Sequence, residues 1–222
     1  MTFPSKAVIF DMDGVILDTE ILYTKAEIRL FGEYGVTIPE EDWPLFRGCA
    51  EDEFYTLSMN RYNITEDKSI FKNKGRQYVR TEFINNLKFM PGFHELHNKI
   101  INAPYKTGLV TASPRHNLNW VRTLVDLDSL FEHIISGEDT ERNKPHPEPY
   151  LKMMSILNTI PSNTIIIEDS INGIKAGLTA GAYVIAKTGS VPQNELTIAH
   201  KIIDHLEEIT TDLIEEVLQI EQ

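Results

Sequence analysis

Three short apolar runs each end in an oxygen-bearing residue: Ala7-Val8-Ile9-Phe10 before Asp11, Thr107 to Val110 before Thr111, and Ile165-Ile166-Ile167 before Glu168. Runs without polar alternation predict strands buried on both faces, as in a parallel sheet covered by helices. Ile134-Ile135, Tyr183 to Ala186 and Ile202-Ile203 repeat the pattern more weakly. Between these runs, apolar positions three and four apart predict helices over Glu95 to Ile101, Asn117 to Val125, Pro147 to Leu157, Ile171 to Ala180 and Leu206 to Leu218. Strands alternating with helices in this order predict an α/β domain.

Residues 20 to about 86 break that rhythm. Leu22-Ala26-Leu30, Phe54-Leu57 and Tyr78-Val79-Phe83 have helical spacing with no strand pattern among them, which predicts a helical insertion. Its edges are Gly14 to Thr19 and Phe89-Met90-Pro91-Gly92, both with turn or hinge chemistry. A length of 222 residues suits one large domain carrying one insertion.

Charge narrows the function. With 21 Lys and Arg against 33 Asp and Glu, the net charge is −12 and no dense basic block occurs, so no nucleic-acid partner is expected. An anionic substrate would then need a local positive site, such as a metal. Cys49 is the single cysteine and has no internal disulfide partner, which suits a reducing compartment. No apolar run approaches the roughly 18 residues of a membrane span, and the segment before Asp11 is too short for a signal-peptide core, so a cytoplasmic protein is expected. Oligomeric state is not written in these patterns.

Four segments at predicted strand ends carry the candidate chemistry. Phe10-Asp11-Met12-Asp13-Gly14 places two carboxylates where open α/β sheets bind ligands, and Gly14 permits a sharp turn. Val110-Thr111-Ala112-Ser113 offers hydroxyls and loop amides to an oxyanion, Thr111 being the better candidate because Ser113-Pro114 also reads as a helix start. Asn143-Lys144-Pro145-His146-Pro147-Glu148-Pro149 is a proline-stiffened loop that would hold one ammonium in place, with His146 as a surface or supporting residue. Ile167-Glu168-Asp169-Ser170 adds two carboxylates ahead of a helix whose Gly173, Ala176, Gly177 and Ala180 suit close packing on a sheet. Each segment has a plain reading as well: an acidic turn, a helix cap, a surface lysine, charges at a helix N-terminus. Together they supply what a magnesium-phosphate site needs, and no zinc-type cluster competes.

The sequence resembles the haloacid dehalogenase-like phosphohydrolases: Phe10 to Glu20, Val110 to Ser113, Lys144-Pro145 and Ile167 to Ser170 look like that family's four motifs in order. Within the family it resembles the members with a helical cap, which include sugar phosphate phosphatases and β-phosphoglucomutases. The resemblance implies a three-layer, Rossmann-like α/β core over residues 1–17 and 88–222, a cap over 18–87, and Mg²⁺-dependent phosphoryl transfer. It implies Asp11 as nucleophile and Asp13 as proton carrier. Mg²⁺ would be held by Asp11, the backbone carbonyl of Asp13 and Asp169, with Glu168 as an outer or alternate ligand. Thr111, Ala112 and Lys144 would bind the phosphoryl group of a small phosphorylated metabolite.

Rival readings differ in single residues. Family dehalogenases and phosphonate-cleaving members lack the aspartate present here as Asp13. The β-phosphoglucomutases carry a cap histidine and a cap arginine; aligned through Asp18-Thr19-Glu20 and Arg47-Gly48, those positions are Tyr23 and Glu51, which favours a phosphatase. A silent phosphometabolite-binding module is the alternative outside catalysis. Trp43, Arg47, Arg61, Arg76 and Arg80 are the cap residues that could read a substrate or simply pack.

Overall fold

The computed structural model describes residues 5–46 and 51–219; Arg47, Gly48 and Cys49 lie outside them. In chain order the elements are β1 (Ser5–Phe10), α1 (Glu20–Glu33), α2 (Trp43–Phe46), α3 (Glu51–Arg61), α4 (Lys68–Asn86), α5 (Phe93–Ile101), β2 (Tyr105–Val110), α6 (Arg115–Val121), β3 (Ile134–Ile135), α7 (Glu148–Leu157), β4 (Thr159–Glu168), α8 (Ile171–Thr179), β5 (Tyr183–Lys187), β6 (Lys201–Ile203) and α9 (Thr211–Gln219). They form two compact units, Met1–Leu17 with Phe89–Gln222, and Asp18–Lys88.

The first unit is a six-stranded sheet of order β3-β2-β1-β4-β5-β6, parallel at every pairing. Side chains alternate across it. Ala7, Ile9, Val110, Ile166 and Val184 face one way and pack with Tyr150, Met153 and Leu157 of α7 and Ile174 of α8. Phe10 faces the other way, where its ring meets Phe93 and Phe131 edge-on at 5.8 Å each. This double coverage is why the strands read as unbroken apolar runs. Gly177 is required by contact: a Cβ there would lie 2.8 Å from Val184 Cγ2.

Three elements depart from the sequence pattern, each for a local reason. The helix expected over Leu206 to Leu218 is two pieces. Glu208 Oε1 accepts from the Asp204 and His205 amides at 2.8 Å and closes a 3-10 turn; Thr210 Oγ1 then accepts from Leu213 N at 3.1 Å and starts α9 afresh. The helix expected through Val125 stops at Val121, where Thr123 Oγ1 donates to Trp120 O at 2.6 Å. Strand β4 begins earlier than its apolar run, because Ser5 pairs with Thr159 and Ala7 with Thr164, and the bulge between carries Pro161, which cannot donate to a ladder.

The second unit is helical, with α1 packed on α4. Its centre is the Phe31 ring, in edge contact with Phe54, Tyr62 and Phe71 at 5.4 to 6.3 Å and stacked on Phe46. Two of the arginines that could have read a substrate are held internally. Arg61 donates to both oxygens of buried Asp42 at 3.0 and 2.7 Å, and Arg76 donates to both oxygens of Glu51 at 2.7 Å. Among the described residues no helix is long and apolar enough to cross a membrane.

His97 of α5 sits among Phe10, Phe93 and Phe131 at 2% exposure. Its Nε2–H donates to Leu130 O at 3.0 Å, while Nδ1 has no partner among the described residues. Burial pushes its pKa below the usual 6.5, so the unfolded chain binds the proton first. Stability from this residue is therefore present above about pH 6.5 and is lost as pH falls, by up to about 1.4 kcal/mol per pH unit. Thermal unfolding from pH 7 to 5 should fall more steeply for the wild type than for His97→Phe; equal slopes would remove His97 as the titrating group.

Candidate active site

The parallel sheet brings four loops to the carboxyl ends of β1, β2, β3 and β4. The β1 ladder runs one residue past the strand, since Asp11 N donates to Ile167 O at 3.0 Å. Asp11 is thereby fixed beside the end of β4. The chain then turns at Gly14, at φ +70°, and closes on itself as the Ile16 and Leu17 amides donate to Met12 O at 2.9 Å. A Cβ at Gly14 would fall 1.8 Å from Asp169 Oδ2, so a larger residue there would have to displace that carboxylate as well as hold a left-handed φ.

At the end of β2, Thr111 Oγ1 accepts from Ser113 N at 3.0 Å and tightens the loop. Ser113 Oγ donates to Asp13 Oδ2 at 3.3 Å, which links the second aspartate to this loop. Ala112 is exposed beside them. The loop after β3 is braced throughout: Asp139 Oδ2 accepts from Ser136 N and Oγ at 2.8 and 2.6 Å, Asn143 Nδ2 donates to Gly137 O at 3.0 Å, and Glu148 accepts from the Glu141 amide at 2.8 Å. That bracing aims Lys144 inward. His146 instead serves the start of α7, its Nδ1 accepting from Glu148 N at 3.1 Å.

Lys144 Nζ donates to Asp11 Oδ1 at 2.5 Å, Glu168 Oε1 at 2.7 Å and Val110 O at 2.9 Å. An ammonium has three donors, so all are used. Glu168 is fully buried, and five donors converge on it. Its Oε1 also accepts from Tyr150 OH at 2.7 Å. Its Oε2 accepts from Asp169 N, Ser170 N and Ser170 Oγ at 3.0, 3.0 and 2.9 Å. Ser170 Oγ in turn accepts from Gly173 N at 3.0 Å and caps α8. Gly173 is bare because a Cβ there would lie 1.7 Å from Glu168 Oε1. Asp169 is buried, and its Oδ2 accepts from Ser190 Oγ.

Carboxylate oxygens of Asp11, Glu168 and Asp169 lie within 4.8 Å of one another; the Asp13 carboxylate is not one of this group. Burial pushes the Asp11 carboxyl up to about 8, with Lys144 pulling it down and Glu168 and Asp13 adding to the rise. Burial acts the same way on Glu168, but the Lys144 charge overcomes it and leaves that carboxyl below its usual range. Lys144 is the mirror case: burial disfavours its charge, and Asp11 with Glu168 more than restores it. Three buried carboxyl groups outnumber the one ammonium, and every available donor atom is a hard oxygen. That set fits a divalent cation of the Mg²⁺ type. Asp11 and Asp169 fit as its ligands, since both Glu168 oxygens are already engaged.

Of the residues singled out from sequence, Asp11, Lys144, Glu168 and Asp169 form one network, with Asp13 joined to it through the Ser113 loop. Tyr150, Ser170 and Ser190 were not singled out for it. Ser170 could have been found from its place ahead of a helix; Tyr150 and Ser190 carry no local signal.

A model of the haloacid dehalogenase-like hydrolases matches residues 8–187. The chain is 34% identical over 177 residues to the phosphorylated carbohydrates phosphatase of Thermotoga maritima, covering 79% of this chain and 82% of that protein. It is 29% identical over 215 residues to hexitol phosphatase B of Escherichia coli, covering 92% and 94%. Among solved structures, a putative beta-phosphoglucomutase from Thermotoga maritima superposes with a TM-score of 0.78 at 28% identity over 97% of each chain. Because the family match takes in every strand end that carries Asp11, Thr111, Lys144 and Asp169, the chain belongs to the haloacid dehalogenase-like hydrolases.

Proposed function

We propose that the protein is a Mg²⁺-dependent phosphatase that hydrolyses a small phosphate monoester, a sugar phosphate being the leading class, through an aspartyl-phosphate intermediate on Asp11. The observation that carries this reading is the placement of Asp11: a buried carboxylate gripped by Lys144 at 2.5 Å and grouped with a second buried aspartate, Asp169. The named phosphatase relatives support the reaction class and the sugar phosphate.

Asp11, Asp169 and the backbone carbonyl of Asp13 would hold Mg²⁺, which when bound supplies the charge that lets a carboxylate approach a phosphate dianion. Lys144 fixes one Asp11 oxygen and leaves the other to attack phosphorus. As the P–O bond to the leaving group breaks, Asp13 gives its proton to that alkoxide oxygen. It then takes a proton from the water that attacks the aspartyl phosphate, which frees inorganic phosphate and restores Asp11. Ser113, donating to Asp13, steadies that carboxyl between its two tasks. The Thr111 hydroxyl and the Ala112 amide fix phosphoryl oxygens, and Lys144 lends them its charge without needing to move.

The alternative is a β-phosphoglucomutase-like phosphomutase, the activity named for one of the similar structures. Glu51 stands at the aligned position of the mutase arginine, and its carboxylate is tied by Arg76 at 2.7 Å and approached by Lys72 at 3.2 Å. A carboxylate at Glu51 cannot supply the positive charge of that arginine, and Tyr23 carries a phenol where the mutases have an imidazole. The test incubates the protein with β-glucose 1-phosphate, a catalytic amount of the bisphosphate and either Mg²⁺ or EDTA, and follows glucose 6-phosphate and free phosphate together, beside a panel of sugar phosphates. Free phosphate from at least one ester, dependent on Mg²⁺, is expected. Glucose 6-phosphate outpacing free phosphate would make the protein a mutase, and saturable binding with no turnover of any ester would make it a sensor.

A further inference from the structure

Ser190 lies outside all four motif segments, yet its hydroxyl donates to Asp169 Oδ2. Both residues are buried, at 9% and 5% exposure. The loop that delivers it is pinned close by. Leaving β5, Thr188 N donates to Ile203 O at 2.9 Å, Thr188 Oγ1 donates to Asp204 Oδ1 at 2.7 Å, and Lys187 Nζ donates to Thr188 O at 2.9 Å. Gly189, at φ +129°, then bends the chain back toward β4, the neighbouring strand. From the opposite side comes the β1 loop, where a Cβ on Gly14 would lie 1.8 Å from Asp169 Oδ2 and 2.8 Å from Ser190 Oγ. Asp169 is thus clamped between a bare backbone and a hydroxyl.

We propose that Ser190 is a positioning residue for divalent-cation binding: it holds the Asp169 carboxylate in one orientation before the ion arrives. The proposal rests on the metal-dependent reading given above and adds to it a residue on the loop after β5 (Tyr183–Lys187), a strand that supplies none of the four motifs. The physical argument is pre-organisation. A carboxylate held by a hydroxyl and by packing has little rotamer freedom left to lose on ligation, and the hydrogen bond keeps its ligating geometry. A hydroxyl suits the task because it adds no charge to the site.

The test uses the full chain, stripped with EDTA and titrated with MgCl₂ by calorimetry and by thermal unfolding, for the wild type, Ser190→Ala, Ser190→Thr and Asp169→Asn. Ser190→Ala is expected to weaken Mg²⁺ binding by roughly 10- to 100-fold. The Mg²⁺ concentration for half-maximal hydrolysis of p-nitrophenyl phosphate should rise by the same factor, with KM for the ester unmoved. Ser190→Thr, which keeps the hydroxyl, should bind Mg²⁺ close to wild type. Ser190→Ala binding as tightly as the wild type, while Asp169→Asn does not, would overturn the role of Ser190 and leave the metal site standing; so would a folded Ser190→Thr as weak as Ser190→Ala. A wild type that neither binds nor is stabilised by Mg²⁺ would overturn both together.

Discussion

Asp11→Asn is expected to abolish phosphate release, by roughly four orders of magnitude or more, because an amide oxygen is too weak a nucleophile to replace a carboxylate at phosphorus. The same variant should fold. Asp11 is buried, and burial holds its carboxyl at about 8, so the folded protein without metal binds this proton more tightly than the unfolded chain does. The stability linked to it is therefore present at low pH and lost as pH rises toward and through about 8. Asn carries no charge and has no such loss. In EDTA, the wild type should lose stability relative to Asp11→Asn from about pH 4 up to about pH 8 and level off above it, and saturating Mg²⁺ should shrink the difference. Thermal unfolding at several pH values, beside a turnover assay, measures both effects. Residual hydrolysis within tenfold of wild type would exclude Asp11 as nucleophile, and a wild type no more pH-sensitive than Asp11→Asn would exclude the raised carboxyl.

Asp13→Asn is the second large effect and should look different. Asp13 moves protons and makes no bond to phosphorus, so the variant should still bind Mg²⁺ while losing roughly 10²- to 10⁴-fold in rate. The loss should depend on the leaving group. An alkyl phosphate needs its oxygen protonated and should suffer most; p-nitrophenyl phosphate, whose phenolate leaves unaided, should suffer less in the first step. Burst kinetics with the activated ester would then show the aspartyl phosphate forming and persisting, since water activation still needs the missing carboxylate. An equal loss for both esters with no burst would contradict proton transfer by Asp13.

The central strands could be read from residues because β1 and the second half of β4 are buried on both sides, which leaves an uninterrupted apolar run as their signature. Only β4 resisted, at its first half, where Pro161 and the bulge opposite Ser5 to Ala7 interrupt the pattern. The stretch from Leu206 reads as one helix because apolar spacing continues through a break that Glu208 and Thr210 impose with side-chain hydrogen bonds. In the candidate site, the residues at strand ends were visible since each sits in a local pattern of strand, carboxylate or hydroxyl, and turn. Tyr150 and Ser190 were not, because their hydroxyls meet Glu168 and Asp169 only after the strand order has been set. In the helical unit the sequence leaves Arg61 and Arg76 open between reading a ligand and packing, because their acidic partners, Asp42 and Glu51, lie 19 and 25 positions away in sequence.

The strand order also bears on how the chain is made. β1 lies between β2 and β4, and β4 begins only at Thr159. On a ribosome adding about 5 to 20 residues per second, β1 waits on the order of ten to thirty seconds for the strand that completes its second edge. For that interval Ala7 to Phe10 present unpaired backbone and an apolar surface to other nascent chains. Slower synthesis should raise the yield lost to aggregates, and a chaperone that shields extended apolar segments should recover it most when it binds before residue 159 has emerged.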